Sequence, residues 1–155
     1  MAELPGTAFH FRHRLRVRYS EVDPQWIVYH SRYLEYMDTA MTEYMRSAGL
    51  DYTAMVAAGF DPALINTTVE FRAPARFDDL LDVYAGVLCI GSSSLTMGFP
   101  IQRAEDNLEV VSAKTVYVNF DCAKGVSKPV PVFARDAMIA FESARTSDVR
   151  SLTNR

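Results

Sequence analysis

Residues 18–38, RYSEVDPQWIVYHSRYLEYMD, decide the fold of this chain. They run from a strand end into a turn that carries one acid, Asp23, and then into an amphipathic helix that starts near Ser31. The first N–H groups of a helix have no intrahelical acceptor, and the helix dipole adds about half a positive charge at that end. A carboxylate held beside a helix start can therefore act on a carbonyl carbon while the N–H groups bind the carbonyl oxygen.

The hydrophobic period after the acid turn is helical. Apolar residues recur at spacings of three and four over 31–48, which predicts one long helix with Ser31 as its N-cap. Gly49 follows as a C-terminal stop signal. A second, short helix is predicted over 51–59.

The remaining pattern is mainly that of strands, and it sets the fold class. Strands are predicted over 9–20, 64–75, 80–90, 94–103 and 108–120, with a loop over 121–131 and a closing helix over 133–142. Short turns between consecutive strands imply antiparallel pairing, and the apolar face of the long helix must be buried against the sheet. We therefore predict an α+β fold in which an antiparallel β-sheet wraps around a long central helix. Residues 1–155 form one domain with a core over about 9–142, a loose lead-in over 1–8 and a flexible C-terminal tail.

Composition excludes several function classes. The chain has 155 residues, a net charge of -3 and 49% hydrophobic residues, which is unlike a nucleic-acid-binding domain. Two cysteines are too few for a disulfide framework, and no histidine or cysteine cluster suggests a metal site. No apolar run approaches the ~20 residues of a membrane span, and no signal sequence is recognisable, so we expect a cytoplasmic protein. Arg12, Arg14, Arg16 and Arg18 share one strand face, which we interpret as solvated or as a subunit contact.

Three segments resemble the 4-hydroxybenzoyl-CoA thioesterase family of hot-dog proteins, which includes the acyl-CoA thioesterases of the bacterial Tol–Pal cluster. Residues 23–33, DPQWIVYHSRY, resemble the family's signature of an acid, a turn, a Val-Tyr pair and a helical Tyr. Residues 70–79, EFRAPARFDD, and 92–95, SSSL, resemble its second and third recurrent stretches. The resemblance covers roughly 10–142, with one departure, because Trp26 stands where the family commonly has glycine.

The resemblance implies hydrolysis of an acyl-CoA thioester to a free acid and CoA. It implies Asp23 as general base or nucleophile and His30 as a second catalytic position, mainly through its backbone N–H. It further implies these substrate-binding residues: Trp26, Val28, Tyr29, Tyr33, Arg72 and Arg76. No cofactor beyond the CoA of the substrate and no metal are expected. The open sheet edges favour a homodimer or homotetramer, with sites at subunit contacts.

Several alternatives remain open from the sequence. Asp23 has a purely structural interpretation as a turn acid at a helix entry. Asp38 is a competing catalytic candidate, because a related hot-dog lineage uses a helix carboxylate. A non-hydrolytic protein that binds acyl-CoA or acyl carrier protein is the main alternative function, with Trp26 as its best support. A hot-dog dehydratase would use a His–carboxylate pair in a differently spaced motif, which the sequence lacks.

Overall fold

The computed structural model describes residues 2–3 and 9–152, with side chains for 9–144. The predicted lead-in over 1–8 therefore lies mostly outside the described residues, as do residues 153–155 of the predicted tail. The strands are β1 Ala2–Glu3, β2 Phe11–Arg16, β3 Pro62–Phe71, β4 Leu80–Ile90, β5 Ser94–Arg103, β6 Glu109–Asp121 and β7 Val126–Ser127. The helices are α1 Arg32–Ser47, α2 Tyr52–Ala57 and α3 Val132–Leu152, and a short 3₁₀ helix spans Tyr19–Glu21.

The strands form one antiparallel sheet in the order β1-β4-β5-β6-β3, with β2 also paired to β4 and β7 to β6. The predicted hairpins β4–β5 and β5–β6 are confirmed. One expected neighbour pairing is wrong, because β3 pairs with β6 instead of β4. Residues 72–79 must carry the chain from the β3 edge back across to β4. This crossing segment passes beside the acid turn, where Val28 donates its N–H to the carbonyl of Ala75 (2.8 Å).

Helix α1 is the central element that the sheet surrounds. Its buried residues recur at the predicted helical spacing: Tyr33, Tyr36, Met37, Ala40, Met41, Tyr44 and Met45. It packs mainly against β4 and β2. Each large apolar side chain buried in this way stabilises the fold by about 1.5–3 kcal/mol. Gly49 ends the helix with φ +80°, a left-handed conformation that glycine adopts without strain.

Three local predictions need correction. Strand β2 ends at Arg16 instead of continuing to residue 20, because the Glu21 carboxylate accepts the Arg18 N–H (2.8 Å) and closes a 3₁₀ turn there. The Ser31 side chain makes no capping hydrogen bond. Helix α3 continues to Leu152, past the predicted end at 142, because no glycine or proline interrupts that segment.

The acid turn is a tight hairpin over residues 22–28. The Trp26 N–H donates to the Asp23 carbonyl (2.8 Å), and the Asp23 N–H donates to the Ile27 carbonyl (2.9 Å). Trp26 has φ +62°, the left-handed region that favours glycine in hairpins of this kind. The local geometry thus gives a physical reason for the glycine that the resembling family commonly has here.

We expect Trp26→Gly to be more stable than Trp26→Ala by about 1 kcal/mol. Both changes remove the indole ring, but only alanine keeps the Cβ that opposes a left-handed residue. The free energy of unfolding in urea measures the difference. Gln25→Gly and Gln25→Ala serve as the control, because Gln25 has no positive φ. There the alanine variant should be the more stable of the two. Equal stability of the two Trp26 variants would contradict the role of backbone strain.

A buried carboxylate ties β2 to β4. Asp82 is 3% exposed and accepts hydrogen bonds from Arg14 Nε (2.8 Å), Arg14 Nη2 (2.9 Å) and Arg12 Nη1 (3.2 Å). The hydrogen bonds from Arg14 and the charges of both arginines outweigh burial and lower the pKa of Asp82. Part of the arginine face therefore neutralises an internal acid.

We expect Asp82→Asn to lower the free energy of unfolding at pH 7 by roughly 1.5–3 kcal/mol, because charge-assisted hydrogen bonds are lost. The folded-state pKa is lowered, so this stabilisation is complete above the ordinary value of about 3.9 and disappears as the pH falls through the folded-state value. Denaturant unfolding at pH 7 and pH 3 should show the gap between wild type and variant shrinking. Asp78→Asn, at the exposed Arg16 pair, is the matched control and should cost about 1 kcal/mol or less. A gap that is the same at both pH values would refute the assignment.

Candidate active site

A cleft of about 420 Å³ lies between the acid turn, the start of α1 and the end of β3. We call it the acid cleft. Its walls are Asp23, Gln25, Ile27, Val28, His30, Tyr33, Phe71, Arg72, Ala73 and Pro74. Five of the predicted site residues meet there: Asp23, Val28, His30, Tyr33 and Arg72. The other three, Trp26, Tyr29 and Arg76, do not line it.

Asp23 presents one free carboxylate oxygen. Its Oδ1 accepts the Gln25 N–H at 2.8 Å, which orients the carboxyl group within the turn. No cation is paired with Asp23 in the part of the chain described here, and the side chain is half-buried. The carboxylate is thus held in place without being neutralised, as an acid that reacts with a ligand requires.

Unpaired donors lie at the start of α1, where His30 lines the same cleft. The N–H groups of Val28 and Tyr29 donate to the Ala75 and Glu21 carbonyls, at 2.8 and 2.9 Å. The next two N–H groups, of His30 and Ser31, have no acceptor among the described residues. They lie at the positive end of the α1 dipole, where an oxygen with negative charge is stabilised.

The rings around the cleft divide into a wall and a rim. Tyr33 is buried, its Oη accepts the Ala75 N–H (3.4 Å), and its ring meets Phe71 edge-on at 5.7 Å. Burial raises the pKa of Tyr33, so this wall stays uncharged. Tyr29 and His30 are exposed, and their rings are in tilted contact with centroids 4.2 Å apart, at the outer rim.

Trp26 turns away from the cleft. Its ring is 58% exposed and contacts Tyr19, with centroids 6.2 Å apart, and Tyr19 in turn meets Phe77. The prediction that Trp26 binds substrate therefore finds no support in the lining of the cleft. The left-handed turn directs the indole to the opposite side of the acid turn.

The two predicted arginines differ in their surroundings. Arg72 lines the cleft, but it forms ion pairs with Glu70 and Glu109, both at 2.7 Å. Arg76 lies beside the cleft because its backbone bridges to Ile27, and its side chain has no ion-pair partner in the described chain. Arg76 is therefore the more available cation for an anionic ligand.

Glu21 was not identified as a functional residue from the sequence, and its buried carboxylate supports the acid turn. It is 3% exposed and accepts hydrogen bonds from Tyr36 Oη (2.8 Å) and from the Arg18 backbone and side chain. Burial alone would raise the pKa of Glu21, but these hydrogen bonds lower it. The sequence contained a signal for this role: an acid follows Arg18 by three residues, and the apolar stripe of the helix includes a tyrosine that can donate to it. Because its hydrogen bonds are all internal, Glu21 positions the turn and does not react.

The competing acid, Asp38, lies elsewhere. It borders a second cleft of about 480 Å³ between α1, α2 and the start of β3, which we call the methionine cleft. Its walls are Asp38, Met41, Thr42, Met45, Arg46, Tyr52, Met55, Pro62 and Tyr117. Within one chain, Asp38 and Asp23 do not share a cleft.

The described residues contain no group of three or more His, Cys, Asp or Glu side chains that could hold a metal ion. Among them, no helix combines the length and the apolar character needed to cross a membrane.

Comparison with known proteins identifies the family. The sequence profile of the thioesterase-like superfamily matches residues 17–140. A curated relative from Escherichia coli O6:H1, an acyl-CoA thioester hydrolase named YbgC, is 31% identical over 121 residues, which are 78% of this chain and 90% of that protein. A putative esterase from Aquifex aeolicus is 30% identical over 122 residues, 79% of this chain and 94% of the relative.

Solved structures agree with this result. A hypothetical protein from Aquifex aeolicus superposes with a TM-score of 0.76 at 26% identity, covering 83% of this chain and 98% of that one. A 1,4-dihydroxy-2-naphthoyl-CoA thioesterase from Synechocystis has the same TM-score at 22% identity, with 83% and 95% covered, and indicates the fold alone. The predicted hot-dog fold and the predicted family resemblance are both confirmed. The chain belongs to the thioesterase-like superfamily, a family of hydrolases.

Proposed function

We propose that the protein is an acyl-CoA thioesterase that hydrolyses its substrate to a free acid and CoA. One observation carries this proposal: Asp23, with one carboxylate oxygen unbonded in the described chain, and His30, with an unpaired N–H at the start of α1, line the same cleft. The relative from Escherichia coli, named as an acyl-CoA thioester hydrolase, supports the same substrate class.

In the proposed reaction, the N–H groups of His30 and Ser31 bind the thioester carbonyl oxygen. A donor of this kind contributes roughly 10²–10³ in rate, because it stabilises the charge that develops on the oxygen. Asp23 either takes a proton from the water that attacks the carbonyl carbon, or attacks that carbon itself to form an anhydride that water then opens. In both routes the C–S bond breaks and CoA leaves as a thiolate that takes up a proton.

The other residues have supporting roles in this proposal. Val28 and Tyr33 provide the uncharged wall against which the acyl group lies. Tyr29 and His30 form the rim with their rings. Arg76 is proposed to meet the CoA phosphates, since its guanidinium has no ion-pair partner among the described residues, whereas Arg72 is already paired.

The non-hydrolytic alternative has lost its main support. It depended on an indole ring that fills the turn and obstructs the acid. The Trp26 ring contacts Tyr19 outside the cleft and leaves the free oxygen of Asp23 accessible. No other observation favours a binding protein over a hydrolase.

We expect Asp23→Asn to reduce kcat/KM for acyl-CoA hydrolysis by a factor of roughly 10² or more, because the base or nucleophile is removed. Free-thiol release from a panel of aliphatic and aromatic acyl-CoAs measures the rate. Asp38→Asn is the comparison variant, the same acid-to-amide change at the competing acid on α1, and should retain most of the activity. If Asp23→Asn keeps full activity and Asp38→Asn loses it, the catalytic carboxylate is Asp38 and not Asp23. No turnover by wild type on any thioester would overturn the proposed function.

We also propose that the chain works as a homodimer joined through β3. This strand ends the sheet, and its outer edge has no strand partner among the described residues. Leu64, Ile65 and Phe71 are 54%, 61% and 57% exposed along it. An edge of ten residues with exposed apolar side chains favours pairing with another strand, and a second copy satisfies it symmetrically.

Symmetric pairing would bring two different clefts together. In an antiparallel pair centred on β3, the Phe71 end of one strand lies opposite the Pro62 end of the other. Phe71 borders the acid cleft, and Pro62 borders the methionine cleft. Each acid cleft would therefore adjoin the partner's methionine cleft, and two composite sites would form in each dimer.

We expect Ile65→Lys to convert the dimer to a monomer and to reduce thioesterase activity, since a charge at the paired edge opposes association. Light scattering coupled to size-exclusion chromatography measures the mass. Val132→Lys is the control, because that valine is 72% exposed at the start of α3, away from the β3 edge. A wild-type protein that is monomeric at assay concentration and fully active would exclude this arrangement.

A further inference from the structure

The methionine cleft contains a polar group that the fold leaves unused. The chain has four buried tyrosines among its described residues. Tyr36 and Tyr44 each donate to a glutamate carboxylate, at 2.8 and 2.6 Å, and Tyr33 accepts a backbone N–H at 3.4 Å. Tyr117 is just as buried, at 4% exposure, yet its hydroxyl has no hydrogen-bond partner in the described part of the chain.

The Tyr117 hydroxyl is accessible from the cleft. Among the described residues, no buried side-chain oxygen or nitrogen sealed from solvent lacks a partner, so the unpaired hydroxyl must reach open space. The ring borders the methionine cleft, which is therefore the space that it reaches. The phenol opens onto the cleft without a partner in the described chain, so a ligand group in the cleft can hydrogen-bond to it without breaking any bond of the fold.

The surrounding side chains suggest what the ligand looks like. Met41, Met45 and Met55 form an apolar wall that adapts to different shapes, because methionine is unbranched and flexible. Burial and the nearby charge of Asp38 raise the pKa of Tyr117, so the hydroxyl is protonated at neutral pH and can both donate and accept. Two charged groups line this cleft: Asp38, which is exposed and would repel an anionic end group, and Arg46, whose charge is already paired with Glu43.

We propose that the methionine cleft binds the far end of the acyl group and that Tyr117 recognises a neutral hydroxyl there. This inference rests on the proposed thioesterase function and on the proposed β3 pairing, which places the methionine cleft of one copy beside the acid cleft of the other. It deepens that function, because it names the substrate class. The preferred acyl group is apolar along its length and ends in an uncharged hydrogen-bonding group. A plain alkyl end would leave the Tyr117 hydroxyl unpaired in the complex, and a terminal carboxylate would face Asp38.

The test compares matched thioesters. Alkanoyl-CoAs of six to twelve carbons are each paired with the ω-hydroxy and the ω-carboxy derivative of the same length. For wild type we expect kcat/KM for the ω-hydroxy member to exceed that for the alkyl member by about tenfold at the best length, the worth of one net hydrogen bond. The ω-carboxy member should be the poorest of the three.

Two variants separate recognition from structure. Tyr117→Phe removes only the hydroxyl and should lower kcat/KM for the ω-hydroxy member to that of the alkyl member of the same length. Tyr84→Phe is the matched control, because Tyr84 is a half-buried tyrosine of β4 that lines neither cleft, and the preference should survive. A wild type that hydrolyses alkanoyl-CoAs as well as their ω-hydroxy partners at every length, or a preference that persists in Tyr117→Phe, would overturn the proposal.

A binding measurement distinguishes this failure from failure of the proposed function. CoA thioethers that carry alkyl or ω-hydroxyalkyl chains cannot be hydrolysed, so their binding does not depend on catalysis. They should shift the NMR signals of the Met41, Met45 and Met55 methyl groups, and Tyr117→Phe should weaken only the ω-hydroxyalkyl ligand, by about tenfold. Methyl shifts without any thioester turnover would overturn the hydrolase alone. Turnover of thioesters without methyl shifts would overturn only the role of the methionine cleft.

Discussion

The burial of α1 inside the curved sheet is the constraint on which the rest of the structure depends. One long helix carries an apolar stripe that only the sheet can cover, so its axis and rotation are fixed by packing. Fixing the helix also fixes its two functional regions. Its start holds the unpaired N–H of His30 at the acid cleft, and its middle places Asp38, Met41 and Met45 beside the start of β3.

The acid turn is held against this helix start by hydrogen bonds that are independent of any ligand. The Val28 N–H reaches the crossing segment at Ala75, and the Tyr29 N–H reaches the Glu21 carbonyl. The buried Glu21 carboxylate then joins Tyr36 of the helix to Arg18 of the preceding segment. Asp23 thus stands on a rigid frame, and such preorganisation is what makes a carboxylate and a set of donors effective in catalysis.

In the proposed function, the two clefts divide the chemical step and the selection of the substrate between them. The acid cleft holds the groups suited to act on a thioester, and those groups are backbone donors and a single carboxylate. The methionine cleft has an adaptable apolar wall and the phenol of Tyr117, and these features suit recognition of the end of an acyl chain. Both clefts border the free edge of β3, at opposite ends of the strand, and this arrangement makes symmetric pairing of two copies functionally meaningful.

Local sequence patterns predicted the central helix, the two hairpins and the candidate site. The spacing of apolar residues over 31–48 gave the central helix nearly to the residue, and turn residues separated the strands of the two hairpins. The acid before the helix start gave the candidate site. These features are set by neighbours within a few residues, so a reader of the sequence can find them.

Contacts between residues that are distant in the chain could not be predicted from local sequence. The pairing of β3 with β6, the burial of Glu21 and Asp82, and the unused hydroxyl of Tyr117 all depend on contacts between segments far apart in sequence. The side to which the Trp26 ring turns depends on a left-handed backbone that its residue type does not favour. Local periodicity and turn chemistry control which elements form and where an acid precedes a helix start, so both can be predicted from sequence. Which side chains face each cleft depends on how the sheet closes around the helix, and this is known only from the folded structure.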